Sequence, residues 1–306
     1  MGIKNSFNKS KREAGKDWFQ SFLRRHPDLS IRKSEGLSLA RAEGMNRIEV
    51  KAFFDLLLRV LDDNKLHGCP DRIWNMDESG IQLINKPNKV VASKGSKVVH
   101  TVTPCERGKN ITVVACANAE GHFLPPACVL KGVNRRPRLE EDLPPGSKVY
   151  LNRKSSFITS DIFNDWVKTL FLPRKPQGKV LLILDGHSSH MSDVEMLQFL
   201  DNNDIILLCL PSHTTQALQP LDRCFFKPLK TAFQAVADAW MHSNPSRKIT
   251  RDHFGRLLSM KKGSCHTACH TACHKACHKA LVTRLGSRCH TSDRRVMFQS
   301  DVNTSF

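Results

Sequence analysis

Two short stretches of the chain are apolar at every position: Val180-Leu181-Leu182-Ile183-Leu184 and Ile205-Ile206-Leu207-Leu208-Cys209-Leu210. Only a strand covered on both faces of a sheet can be greasy throughout, so both are predicted as buried strands. Further strands are predicted over 72–78, 89–93, 110–118, 126–131 and 149–151, separated by turns such as Asn85-Lys86-Pro87-Asn88 and Glu120-Gly121. Helical spacing appears elsewhere. Trp18, Phe19, Phe22 and Leu23 predict a helix over 13–27, with Arg24-Arg25-His26 in its last turn and Pro27 as its stop. Val50, Phe53, Phe54, Leu57 and Leu61 predict a second over 46–62, opened by an Asn46-x-x-Glu49 capping box. A third, over 160–171, carries Phe163, Trp166, Val167 and Leu170 and is capped by Ser160 or Asp161. A fourth, over 192–202, turns Val194, Leu197 and Leu200 inward. After a polar loop over 211–219, one long helix begins near Pro220 with Phe225, Phe226, Leu229, Phe233, Val236, Ala237 and Trp240 as its stripe.

Condensed to its main members, the order is three strands, a helix, a strand, a helix, a strand and a helix. That order predicts an α/β domain of the ribonuclease H-like kind, a mixed sheet flanked by helices. The polar link with Gly68 and Pro70 divides the chain. Residues 1–62 are expected to form a helical segment with a connecting helix (a partial helix-turn-helix module on the resemblance given below), 63–260 the α/β domain, and 261–306 a tail expected to be disordered. In the tail, Cys265-His266-Thr267-Ala268 recurs three more times with small changes. Cys and His at this spacing can hold zinc or copper, but a near-perfect four-residue repeat is also what expansion of a short coding unit produces.

Charge changes the picture more than hydropathy does. Lys and Arg number 47 against 29 Asp and Glu, a formal net charge of +18. A surplus of that size points to a polyanion, nucleic acid before a membrane surface. Lys16, Arg24, Arg25, Arg32 and Lys33 cluster near the first helix, and Arg135 and Arg136 lie in the basic loop 131–138. These are the candidate phosphate contacts, although charge runs are often only solvated. An amphipathic helix with aromatics inside and cations outside suits helix-turn-helix docking on phosphates, and equally an ordinary surface helix. No run of eighteen apolar residues exists, so no membrane-spanning helix is expected. Met1-Gly2 with Ser6 matches a myristoylation start, but its basic surroundings lack a second anchor. The six cysteines before the C-terminal tail have no regular spacing, as expected of reduced thiols.

Three acids stand where an α/β sheet places its chemistry. Asp77 lies at the end of one predicted strand, Asp185 ends the strand 180–184, and Asp222 opens the long helix. Taken singly, each is equally a strand-end or N-cap residue. As a set they are what a pair of hard divalent cations needs, and without a cation a buried acid triad repels itself. Glu78, His187, His190 and His213 lie close to these acids in sequence.

The motifs around the acids carry a resemblance. Trp74-Asn75-Met76-Asp77-Glu78-Ser79-Gly80, Leu184-Asp185-Gly186-His187-Ser188-Ser189-His190, Leu210-Pro211-Ser212-His213-Thr214-Thr215-Gln216 and Gln219-Pro220-Leu221-Asp222 resemble the DDE transposase domain of pogo-like elements. That group includes the Tigger- and jerky-derived proteins and centromere-binding protein B. Gly15-Lys16-Asp17-Trp18-Phe19, Arg24-Arg25-His26-Pro27 and Leu37-Ser38-Leu39-Ala40-Arg41-Ala42 resemble the close of the family's second helix-turn-helix module. The resemblance runs from about 14 to 260. It implies a nuclear DNA transposase or endonuclease that uses two Mg2+ (or Mn2+) ions, with Asp77, Asp185 and Asp222 as catalytic, metal-holding acids. Its partners are then DNA and a second copy of the chain in a homodimer, with neither a membrane nor a small-molecule substrate. It also implies a chain truncated at both ends relative to the family. Two readings stand open: a metal-dependent strand-transferring nuclease, or a host-adopted DNA-binding relative that performs no chemistry.

Overall fold

The computed structural model describes residues 14–31, 46–83, 110–186, 193–244 and 247–259. The chain divides into two compact units, Met1–Ala42 and Glu43–Phe306. In the first, α1 (Lys16–Arg25) is shorter than 13–27; it buries none of its residues and stacks Trp18 on Phe22 at 5.3 Å. Arg32 and Lys33, the predicted strand 89–93 and the Cys/His repeat lie outside the described residues.

Among the described residues, the second unit is built on a six-stranded mixed sheet in the order β4-β3-β2-β1-β5-β6. Its strands are β1 (Ile73–Gln82), β2 (Asn110–Asn118), β3 (Ala127–Lys131), β4 (Lys148–Asn152), β5 (Val180–Leu184) and β6 (Ile205–Cys209). The strands β1, β2 and β3 run antiparallel in turn, while β5 and β6 add parallel to β1 and β4 adds parallel to β3. This is the ribonuclease H-like arrangement, with β1 to β4 matching four of the five strands predicted before the helix over 160–171; the fifth, 89–93, lies outside the described residues. The strand β1 runs four residues beyond Glu78 because its ladder with β2 continues to Gln82↔Asn110.

Alternation sorts the sheet into two faces. Trp74, Met76, Val114, Cys116, Leu182 and Leu184 point to one face, where Phe163, Trp166 and Phe171 cover them. Phe163 and Trp166 belong to α3 (Ser160–Trp166), which Thr159 caps by accepting from the Ile162 amide, in place of Ser160 or Asp161. A single π-turn, Val167–Phe171, then brings Phe171 edge-on to Trp74 at 5.8 Å. The same face receives α4 (Val194–Asn202), capped by Asp193. The helix turns Met196 and Leu200 inward and leaves Val194 and Leu197 exposed, a rotation from the predicted stripe. The inward pair packs in the same core cluster as Phe163 and Trp166.

The opposite face is covered in two parts. Phe53, Leu57 and Leu61 of α2 (Arg47–Asp63) pack on Ile73, Leu181, Ile183 and Leu208. The connecting helix is thus part of the sheet's own core. Its Asn46 cap accepts from the Glu49 amide at 2.8 Å. The other part holds Ile81, Ile111, Val113 and Leu130 beneath the helical C-terminal segment. That segment starts with α5 (Thr215–Leu218), inside the expected polar loop, and α6 (Pro220–Cys224). The long helix expected from Pro220 breaks at Phe225 and resumes as α7 (Phe226–Ser243). Pro228 explains the break: it has no N–H to give Cys224, and its ring would strike that carbonyl in a continuous helix. As predicted, β5 is buried at all five positions; β6, at the sheet edge, leaves Ile206, Leu207 and Cys209 half-covered.

The last element, α8 (Phe254–Ser259), seats Gly255 against the 140–143 loop. A Cβ built on Gly255 would stand 2.3 Å from the Glu141 carbonyl oxygen. Gly255→Ala is therefore expected to destabilise the fold by about 1–3 kcal/mol, because backbone must move. Chemical denaturation checks this; an unchanged midpoint would show that α8 adjusts freely.

Candidate metal-binding acid cluster

Pairing sets the acids level with one another. Asn75 pairs with Ile183 across the parallel β1–β5 ladder. Asp77 and Asp185 each lie two residues further on, so they occupy matching heights on neighbouring strands and the same face. Asp222 is brought to that face by α6, whose first turn is tied to β1. The Asn75 Nδ2 donates to the Ile183 carbonyl at 3.0 Å and to Gln219 Oε1 at 2.6 Å. Its Oδ1 accepts from the Leu221 amide at 3.2 Å, and Gln219 Nε2 donates to the Met76 carbonyl at 3.4 Å. Asn75 and Gln219 are 1% and 0% exposed. A buried amide pair that meets its hydrogen bonds across three elements fixes their relative positions.

The carboxylates feel one another. Asp77, 7% exposed, is pushed up from 3.8 to about 8, first by burial and then by the charge of Asp222, with Asp185 contributing further. The Gln219 amide opposes this by favouring the charged form. Asp222, exposed at the start of α6, is also raised, first by partial desolvation; Lys230 of α7 opposes the shift, and Asp185 adds to it. Asp185 is the hub, for its charge also bears on Glu78 and on the Cys209 thiol of β6. Glu78 is half-buried on the other side of β1 and is pushed up to about 7, mainly by burial. Its charged neighbour is Asp185, and the Ile158 backbone hydrogen bonds to it.

The donor set is all carboxylate oxygen, the chemistry of a hard divalent cation. One oxygen, Asp77 Oδ2, is buried without a hydrogen-bond partner. An orphaned, charged oxygen among like charges is costly unless a proton or a cation meets it. The residues therefore fit such an ion. Among the described residues, no group of three His, Cys, Asp or Glu side chains is placed to hold a metal ion as it stands.

The remaining candidates are scattered. His187 and His190 lie outside the described residues. His213 is exposed, in the left-handed region at φ 62, in the loop between β6 and α5. Lys16, Arg24 and Arg25 are exposed on α1. Arg135 Nε donates to Glu140 at 2.7 Å, and Arg136 lies 3.9 Å from Asp252. Such exposed pairs are weak and exchange readily for phosphate. Asn75, Gln219 and Lys230 were not singled out from the sequence. An Asn two residues before one acid and a Gln three before another, each in an apolar setting, were the available signal.

Comparison with known proteins gives the family. Residues 108–264 match the DDE superfamily endonuclease family, a span that contains Asp185 and Asp222 and begins after Asp77. The "Pogo transposable element with KRAB domain" protein of Mus musculus is 27% identical over 233 residues, covering 75% of this chain and 37% of that one. The Jerky protein of Mus musculus is 26% identical over 170 residues, covering 51% and 28%. The chain thus spans about a third of the length of these curated relatives. A fainter likeness, at TM-score 0.47 and 16% identity over 85% of this chain and 70% of the other, is to the Mos1 transposase paired-end complex with left transposon end. The family match takes in just over half of the chain, from β2 to α8. With its curated relatives of the pogo and jerky kind, that match makes the chain a pogo-like member of the DDE superfamily endonuclease family.

Proposed function

We propose that the chain acts on DNA in the nucleus, as a homodimer, and cuts or transfers strands at the cluster of Asp77, Asp185 and Asp222 with two Mg2+ or Mn2+ ions. The observation that carries this is the charge of Asp185 and Asp222 bearing on buried Asp77 from separate elements, with one Asp77 oxygen left unpartnered. When bound, such ions activate water or a 3′-hydroxyl and stabilise the leaving oxygen at phosphorus. The chain's own residues supply the frame. Asn75 and Gln219 hold the Asp222 turn against β1. Lys230 places a positive charge beside Asp222, where a phosphate would otherwise meet only acids. The net charge of +18 supports a polyanionic partner, with Lys16, Arg24, Arg25, Arg135 and Arg136, and Arg32 and Lys33 beyond the described residues, as phosphate contacts. Among the described residues, no helix is long and apolar enough to cross a membrane.

A second reading, DNA binding without cleavage, draws on the acids not closing on an ion as they stand. Incubating the purified chain with Mg2+ and DNA carrying candidate element ends decides between the two. Nicking that disappears in Asp185→Ala is expected. DNA binding without nicking by either protein would leave only the second reading.

Gly186 adds a local prediction. A Cβ there would meet the Leu210 carbonyl oxygen at 3.1 Å, at the position directly after Asp185. Gly186→Ala is expected to lower the nicking rate about tenfold or more by displacing the neighbouring acid, with only about 1 kcal/mol lost in a thermal melt. An unchanged rate would mean that Asp185 needs no such placement.

A further inference from the structure

The parallel strands β1, β3, β4, β5 and β6 all end at one edge of the sheet, the edge that carries Asp185. Next to it, the segment after β4 forms a built turn. The Asn152 amide donates to the Phe157 carbonyl at 2.9 Å, and its oxygen accepts from the Lys154 amide at 3.0 Å. Ser155 Oγ accepts from the Phe157 amide at 3.2 Å. The turn holds Phe157 out, 70% exposed. The next residue, Ile158, is buried in the core and hydrogen bonds through its backbone to Glu78, the neighbour of Asp77. Arg153 and Lys154 on the turn, and Lys131 at the end of β3, are exposed, and among the described residues none of the three has an ion-pair partner.

The exposed ring has cationic surroundings, at the sheet end where the chain reaches Glu78 through Ile158. Flat apolar area with unpaired positive charge matches a nucleobase with its phosphates. We propose that Phe157, flanked by Arg153, Lys154 and Lys131, is a stacking platform for an unpaired base of the bound DNA, so that the preferred substrate is an end with unpaired nucleotides. This rests on the DNA reading above and names its substrate class. A peptide partner suits the site less well: the free charges are all positive, and stacking asks for a ring.

Binding in EDTA tests this without any demand on catalysis. The full chain and its Phe157→Ala and Phe157→Trp variants are titrated with a blunt duplex and with the same duplex bearing an unpaired overhang. Expected is tighter binding of the overhang by the parent chain, a loss of roughly 5- to 100-fold on the overhang alone in Phe157→Ala, and retention in Phe157→Trp. Equal affinity of the parent chain and Phe157→Ala for the overhang overturns the proposal, as does an equal loss on both substrates. If neither DNA binds the parent chain, the DNA reading itself has failed. The side chain lies outside the core, and matching melting curves confirm that the variants fold.

Discussion

Asp77→Asn is expected to abolish metal-dependent nicking while making the metal-free protein more stable at pH 8. Burial and the charge of Asp222 raise Asp77 from 3.8 to about 8. A raised acid holds its proton more tightly folded than unfolded. Below about pH 3.8 both states are protonated and the full stabilisation is present. As pH rises towards 8, the unfolded chain gives up this proton while the folded chain keeps it. Stability is thereby lost at up to about 1.4 kcal/mol per pH unit, and the loss stops once the folded group ionises. Glu78, raised from 4.5 to about 7, acts in the same sense over its own window. Asparagine has nothing to ionise, so the variant should melt higher than the parent at pH 8 and show a shallower pH dependence. A divalent cation should reverse the parent's loss and leave the variant unmoved. Thermal melts from pH 4 to 8, with and without Mg2+, read all of this. A variant less stable than its parent at pH 8 would mean that Asp77 is not under electrostatic strain.

Asn75→Leu is the second large effect, with the opposite sign for stability. The substitution removes three hydrogen bonds and strands the Leu221 amide and the Gln219 Oε1 in a dry interior. Each abandoned buried group costs about 1–3 kcal/mol, so a loss of about 3–5 kcal/mol is expected by urea denaturation. Because the same bonds seat the turn carrying Asp222, nicking should fall as well. The double variant Asn75→Leu, Gln219→Leu should recover part of the stability, since removing both partners leaves fewer orphans, but should not recover nicking. Strictly additive losses would show that the two amides do not act as a unit.

The central strands were legible because burial on both faces leaves no choice of residue: β5 reads as five apolar positions and is buried at all five. The placement of Asp185 directly after β5 followed from the same pattern, whereas Asp77, read as a strand-end acid, sits mid-strand because β1 continues beside β2 to Gln82. What failed depended on partners that the local pattern does not name. Leu197 is as apolar as Leu200, but α4 packs Met196 and Leu200 on the core and leaves Leu197 outward. The long C-terminal helix keeps its stripe across Phe225, yet the backbone at Pro228 forbids continuity. Asn75 and Gln219 gave little local signal, because their role exists only once β1, β5 and α6 meet, 144 residues apart in sequence.

The most direct test of the shared acid site is titration of the protein with Mn2+ at neutral pH, with free ion read by electron paramagnetic resonance. Saturable binding is expected that is lost in each of Asp77→Asn, Asp185→Asn and Asp222→Asn. It should survive in Asp165→Asn, an acid engaged elsewhere with Lys148 and Tyr150. Equal Mn2+ uptake by all five proteins, or none by the parent chain, would contradict a metal centre built from these three residues.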